Sequence, residues 1–200
     1  MDLLAAESEF IAQKFKGMTV QNDHLDKKVF TSCTFLNCSF RETVFSHCEF
    51  DSCMFRNCDF SLATLRDCSF KKTVFEQSQL IGVNWMDTNL AQRKYVFAEP
   101  VGFSECVLNH SIFMGLNLKK VALTKCIARG VSFEEADLSY ADCTFTDFAD
   151  SRFLHTNLTE ADFTGATNYS IVASANTLKK TKFSLPEAIS LLHGLDMDFL

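Results

Sequence analysis

Every fifth residue from Phe10 is large and apolar: Phe10, Phe15, Val20, Leu25, Phe30, Phe35, Phe40, Phe45, Phe50, Phe55, Phe60, Leu65, Phe70, Phe75, Leu80, Trp85 and Leu90. In a chain of this hydrophobicity, such a run in a fixed register arises by chance roughly three times in a million. A helix repeats every 3.6 residues and a strand every two. A period of five fits neither, so the chain must turn at every repeat. Two residues before each large one from Phe35 to Leu80 is a small side chain: Cys33, Cys38, Thr43, Cys48, Cys53, Cys58, Ala63, Cys68, Thr73 and Ser78. A backbone that turns at each repeat has room for one large and one small inward residue. The residues between them, such as Arg41-Glu42, Glu49 and Arg56-Asn57, are mostly polar and face water.

The register slips once. Apolar residues resume at Phe103, Leu108, Phe113, Leu118 and Leu123 and continue through Phe133, Leu138, Phe148, Phe153, Leu158, Phe163, Leu178 and Phe183. The step from Leu90 to Phe103 is two repeats plus three, which predicts an irregular loop at about 91–102. Ala128, Cys143, Asn168 and Ala173 stand at central positions of this second register, and the polar Asn168 has no place in the pattern. Period five alone leaves the number of sides open.

After the repeats, Ser184-Leu185-Pro186-Glu187 reads as the start of an α-helix, with Ser184 as cap and Glu187 closing a capping box. Gly194 is a stop. The expected domains are a β-helix over 1–183 and a capping and dimerisation helix over 184–200. Leu185, Ile189, Leu192 and Leu195 form an apolar stripe, followed by Met197, Phe199 and Leu200. The stripe reads either as a cover for the last coil or as a two-fold dimer contact as well.

The formal charge of −6 is unevenly placed. Met1 to Arg129 holds 15 basic and 14 acidic residues, and Gly130 to Ser170 holds 1 basic and 8 acidic. The eight are Glu134, Glu135, Asp137, Asp142, Asp147, Asp150, Glu160 and Asp162, all at outward positions. They read as a solvated surface, or as a rod segment whose field imitates duplex DNA, with its one charge per ~1.7 Å of axis. Either way, nucleic acid is not the expected partner.

The nine cysteines are phased with the core, where cysteine packs as a small hydrophobe, and no C-x2-C pair exists for zinc. Cys33 and Cys53, Cys38 and Cys58, Cys48 and Cys68, and Cys106 and Cys126 fall four repeats apart and would stack if a coil has that length. The five histidines share no ligand spacing, and no nucleophile elbow, P-loop or dinucleotide fingerprint appears. No cofactor, metal or catalysis is expected. The first residues lack the basic start and long apolar run of a secretory signal, and no stretch reaches the ~18 apolar residues of a membrane span, so the expected compartment is the cytoplasm.

Ala136-Asp137-Leu138-Ser139-Tyr140 and Ala161-Asp162-Phe163-Thr164-Gly165 resemble the repeat of the pentapeptide-repeat family. That resemblance implies an all-β, right-handed quadrilateral β-helix with four repeats per coil, one interrupting loop and a short C-terminal α-helix. Ile81-Gly82-Val83-Asn84-Trp85 and Phe183-Ser184-Leu185-Pro186-Glu187-Ala188 resemble its gyrase-protecting branch, which holds the quinolone-resistance and albicidin-resistance proteins. The branch implies a homodimeric DNA mimic that binds DNA gyrase, with topoisomerase IV as a related candidate, and relieves poisoning by an antibiotic or peptide toxin. The loop would be a second contact, through Arg93, Lys94 and Glu99. The basic pairs Lys27-Lys28 and Lys71-Lys72 depart from a uniformly negative rod and confine mimicry to the later coils. A scaffold or adaptor with an unrelated protein partner is the alternative.

Overall fold

The computed structural model describes residues 7–92 and 101–194. It is a β-solenoid in which every strand pairs in parallel with the strand one coil away. Phe10 lies beside Phe30, Phe30 beside Phe50, and Phe50 beside Phe70. Phe15, Phe35, Phe55 and Phe75 form a second ladder, and Leu25, Phe45 and Leu65 another. Single bridges join Thr19, Ser39, Asp59 and Gln79 along the remaining wall. A coil is therefore four repeats long, and with a turn at each repeat it has four sides. The helix is right-handed, as the resemblance implied.

The four walls are called faces 1 to 4 in chain order. Face 1 opens with Glu9–Ile11, face 2 with Lys14–Lys16, face 3 with the bridge at Thr19, and face 4 with His24–Asp26. Along face 2 the register jumps at the predicted break. Phe75 pairs with Phe103, well beyond the position one regular coil on. Eight extra residues are thus counted between Leu90 on face 1 and Phe103 on face 2. Beyond them the normal register resumes, since Phe103 pairs with Leu123.

The strands are two or three residues long because a corner follows each one. The second residue after most of the large ones turns the chain in the left-handed region, as at Lys27 (φ 52°), Ser52 (57°) and Glu135 (59°). This conformation is uncommon for residues with a Cβ. Main-chain bonds across coils hold it. At the corners, Lys27 N donates to Ser46 O (2.9 Å) and Ser52 N to Lys71 O (2.8 Å).

The core is a stack of rings. On face 1 the centroids of Phe10, Phe30, Phe50 and Phe70 are 4.8, 5.1 and 5.0 Å apart and nearly coplanar in orientation. Around each coil the rings meet edge to face, as Phe50 and Phe55 do at 5.5 Å and 69°. Both geometries favour the aromatic quadrupole. The small inward residues are buried too, and they have a second task. Cys33 Sγ donates to Phe10 O (3.4 Å), Thr73 Oγ1 to Phe50 O (3.0 Å), and Ser111 Oγ to Leu80 O (2.6 Å). Each reaches the carbonyl of the large residue on the preceding face of the preceding coil. A small side chain with a hydroxyl or thiol fits this slot better than alanine, because it also satisfies a buried acceptor.

Asn168 stands where the coil is shortened. Phe153 pairs with Ile171 and not with Ala173, so the last coil is locally two residues short. Asn168 turns outward at φ 57°, and its amide donates to Asp147 Oδ1 (2.9 Å). Tyr169 takes the core place beside Phe163 and Phe183.

The C-terminal helix lies where expected but is wound as a 3-10 helix, Glu187–Gly194. Ser184 does not cap it. Ser184 O accepts from Ala188 N (3.1 Å) and not from the coil beneath. The Ser184 hydroxyl takes over that duty and accepts from Gly165 N (2.9 Å). Leu191 packs on the core and Ser190 Oγ donates to Tyr169 O (3.3 Å), so the helix covers the last coil. Leu192 is half-buried, while Leu185 and Ile189 point away and are exposed. Leu195, Met197, Phe199 and Leu200 lie outside the described residues, as do Arg93, Lys94 and Glu99.

Phe50 is enclosed by Phe30, Phe70, Phe45 and Phe55. Phe50→Ala should therefore cost about 3–5 kcal/mol. Urea unfolding checks this; an unshifted midpoint would contradict the inward stack.

Candidate partner-binding surface

The eight acidic residues of the later coils do not form one wall. Asp137 lies on face 1, Asp142 and Asp162 on face 2, Asp147 on face 3 and Glu134 on face 4. Glu135, Asp150 and Glu160 hold left-handed corners. Each is set by its slot: the residues immediately before and after a large one sit on a face, and the second residue after it sits on a corner.

The structure brings Asp142 and Asp162 together as bridge partners, one coil apart. That like-charge stack is relieved from the next coil, where Lys182 Nζ lies 2.9 Å from Asp162 Oδ2. Two more of the eight are paired. Arg129 is 2.7 Å from Asp147 Oδ2, and Arg152 Nε is 3.5 Å from Glu134 Oε1. Asp137 accepts from Asn157 Nδ2 (3.0 Å) and Ser139 N (2.9 Å). Glu135, Asp142, Asp150 and Glu160 are exposed and in no ion pair among the described residues. Among the described residues the segment is thus a sleeve of four exposed carboxylates outside ion pairs, with ion-paired or hydrogen-bonded ones between them.

Burial alone would raise the Asp147 carboxyl. Hydrogen bonds from Asn168, Arg129 and the Ala149 amide, with the Arg129 charge, outweigh it and hold the group below the ordinary carboxylate range. Asp162 is also pulled up by burial and brought lower by Thr164 and Lys182. These groups are more acidic in the fold than in the unfolded chain.

The thiols are structural. All nine cysteines are buried and free. Burial pushes Cys53 up to about 12 and raises Cys143 as well. The neighbouring thiols of Cys38, Cys48 and Cys106 one coil back, with burial, raise Cys58, Cys68 and Cys126. Among the described residues no cluster of three metal-ligating side chains occurs. Nor is any described helix long and apolar enough to cross a membrane. A shallow polar recess of about 330 Å³ on face 2 is lined by Arg56, Glu76, Gln77, Ser104 and Glu105. Its groups bind one another: Arg56 pairs with Glu76 at 2.6 Å, and Gln77 Nε2 donates to Glu105 (3.0 Å).

Sequence reasoning missed two neighbours of the acids. Tyr140 and Phe145 occupy consecutive corners flanking Asp142 and Thr144, and both are exposed. The signal was available: an aromatic residue stands in a slot that elsewhere is mostly polar.

Two profiles of one family match the sequence. The pentapeptide repeat region profile covers residues 28–99, and the pentapeptide repeats profile covers 117–153 and 129–165. Together they span more than half of the chain. The chain belongs to the pentapeptide-repeat family. Solved structures agree on the fold. A trypsin-treated variant of QnrB1, described as a plasmid-mediated fluoroquinolone resistance protein, superposes with a TM-score of 0.60 at 18% identity, covering 96% of this chain and 98% of that one. Full-length QnrB1 superposes with a TM-score of 0.54 at 18% identity, covering 94% and 100%. No curated protein sequence matches this chain. This pentapeptide-repeat protein therefore shares its fold with QnrB1 over nearly the whole of both chains.

The depressed carboxyls set the sign of an acid effect. A group whose folded pKa is lowered stabilises the fold above its unfolded value of about 3.9 and loses that contribution as pH falls through the folded value. The urea midpoint should fall between about pH 5 and pH 2. Asp147→Asn should lower the plateau near neutrality and flatten this fall; an identical pH slope would show that the Arg129 pair contributes nothing.

Proposed function

We propose that this protein binds a type II topoisomerase, DNA gyrase first and topoisomerase IV as a related candidate, and protects it from a poison that is an antibiotic or a peptide toxin. It does so without catalysis, as a cytoplasmic homodimer whose later coils stand in for DNA. The observation that carries this is the set of four exposed, unpaired carboxylates, Glu135, Asp142, Asp150 and Glu160, on the coils nearest the C-terminal helix. The full-length likeness to QnrB1, described as a fluoroquinolone resistance protein, supports the same reading. So does the resemblance of Gly82-Val83-Asn84-Trp85 to the gyrase-protecting branch.

The mechanism follows from charge and shape. A rod with carboxylates on successive coils presents a negative field to a basic DNA-binding groove. Leu185 just before the terminal helix and Ile189 on it leave an apolar patch at that end, and a two-fold contact there would place two acidic segments about one axis. An enzyme that holds duplex DNA across its own two-fold axis accepts that symmetry. The 91–102 loop, with Arg93, Lys94 and Glu99, would be a second contact.

A scaffold or adaptor role is favoured by one separate observation. Leu62, Met86, Ile112 and Ile127 are exposed on faces 3 and 4 and their shared corner, in the central coils.

Supercoiling by purified gyrase, with this protein titrated in, tests the first reading. Rescue from a gyrase poison is expected, and Asp142→Lys with Asp162→Lys should abolish it. No effect on gyrase, with or without poison, would move the adaptor role to first place. Leu185→Asp with Ile189→Asp should halve the mass seen in sedimentation; an unchanged mass would refute the helix contact.

A further inference from the structure

Phe145 is out of keeping with its position. It is a left-handed corner residue (φ 57°), a conformation costly for a bulky side chain, and it is 63% exposed. Its ring is not loose. It lies against Gly165 of the next coil, so closely that a Cβ there would come within 2.6 Å of Cδ1 and 2.7 Å of Cε1. Gly165 is itself left-handed (φ 69°), so the corner is open to the ring and closed to any side chain. One corner back, Tyr140 is 44% exposed. Its ring already carries a cation, with Lys119 Nζ at 5.1 Å from the centroid. Between the two rings face 2 presents Asp142 and Thr144, with Asp162 and Thr164 one coil on. Glu160 holds the corner next to Tyr140 in the following coil, where Tyr140 N bonds Thr159 O at 2.8 Å.

We propose that Tyr140 and Phe145, with Asp142 and Glu160, form a docking surface for an arginine-bearing segment of a partner protein. Guanidinium planes would lie on the two ring faces, and the free carboxylates would take their charge. Charge complementarity selects a cationic partner. The aromatic pair selects arginine over lysine, because guanidinium is planar, weakly hydrated and stacks. Pre-set aromatic groups are also the usual energetic anchors of an interface. This adds to charge mimicry an element that duplex DNA does not present along its outer surface. The chemistry of the surface stands by itself; that the segment belongs to a topoisomerase rests on the reading above.

The test is calorimetric titration of the full chain with an Arg-Gly repeat peptide and its Lys-Gly counterpart at physiological salt. The arginine peptide should bind about three- to tenfold more tightly. Phe145→Ala and Tyr140→Ala should each erase that preference without lowering the melting temperature. Ile11→Ala, an exposed residue of the first strand of face 1, should leave it intact. Equal affinity for the two peptides, or an unchanged preference in Phe145→Ala, overturns the inference. Co-sedimentation with gyrase separates the two readings. Gyrase binding together with equal affinity for the two peptides sinks this inference and spares the topoisomerase assignment. An arginine preference without any gyrase binding does the reverse.

Discussion

Everything in this molecule depends on the main-chain hydrogen bonds that tie each coil to the next. Val29 N reaches down to Ser8 O at 2.8 Å, and Ala12 N reaches up to Thr31 O at 2.9 Å. The same reach recurs along the rod. Because these bonds fix the coil spacing near the inter-strand value of about 4.8 Å, they also fix what can fill the interior. Flat rings one coil apart then fall at a good stacking distance, as Phe35 and Phe55 do at 4.5 Å. Phenylalanine suits the large slot because its thickness matches the ladder. A corner is needed at every repeat, and the same ladder bonds hold its backbone in a conformation that the isolated residue disfavours.

This hierarchy explains what could be read in advance. The inward residues were legible because burial is decided at the level of the period, and Phe10 through Leu90 obey it without exception. The break near Leu90 was legible as a slip in the count. The ion pairs were not, because Arg129–Asp147, Arg152–Glu134 and Lys182–Asp162 join residues about a coil apart in the chain. Such pairs become neighbours only when the coil length is known. The corner slot is mostly polar, so Tyr140 and Phe145 stand out in it once the slot is known, but charge alone does not point to them.

The two places where local reasoning failed share a cause. Ser184 has good cap chemistry, yet Gly165 N needs an acceptor that the departing chain no longer supplies from its main chain. Asn168 has no core chemistry, and the chain omits two residues so that Tyr169 can take the slot. In each case a requirement of the ladder outranks a local preference. At the last coil the ladder has no further coil to follow, so its demands fall on side chains.

A filled solenoid separates the work of folding from the work of recognition. Its inner slots are committed to rings and small donors, while its outer slots carry little of the stability and are free to vary. Recognition must then be assembled from outward side chains at fixed, repeating positions. Face 2 illustrates what this permits. Asp142 and Asp162 stack in a way that would be mildly destabilising alone, and Lys182 offsets the inner of the two contacts. Asp142 is left exposed and uncompensated, at the coil where both flanking corners are aromatic. A purely solvating surface has no need of Phe145 there, since a polar corner residue would meet the same backbone requirement without exposing a ring. The concentration of an unpaired carboxylate and two exposed rings on one coil is what a surface made to be covered looks like.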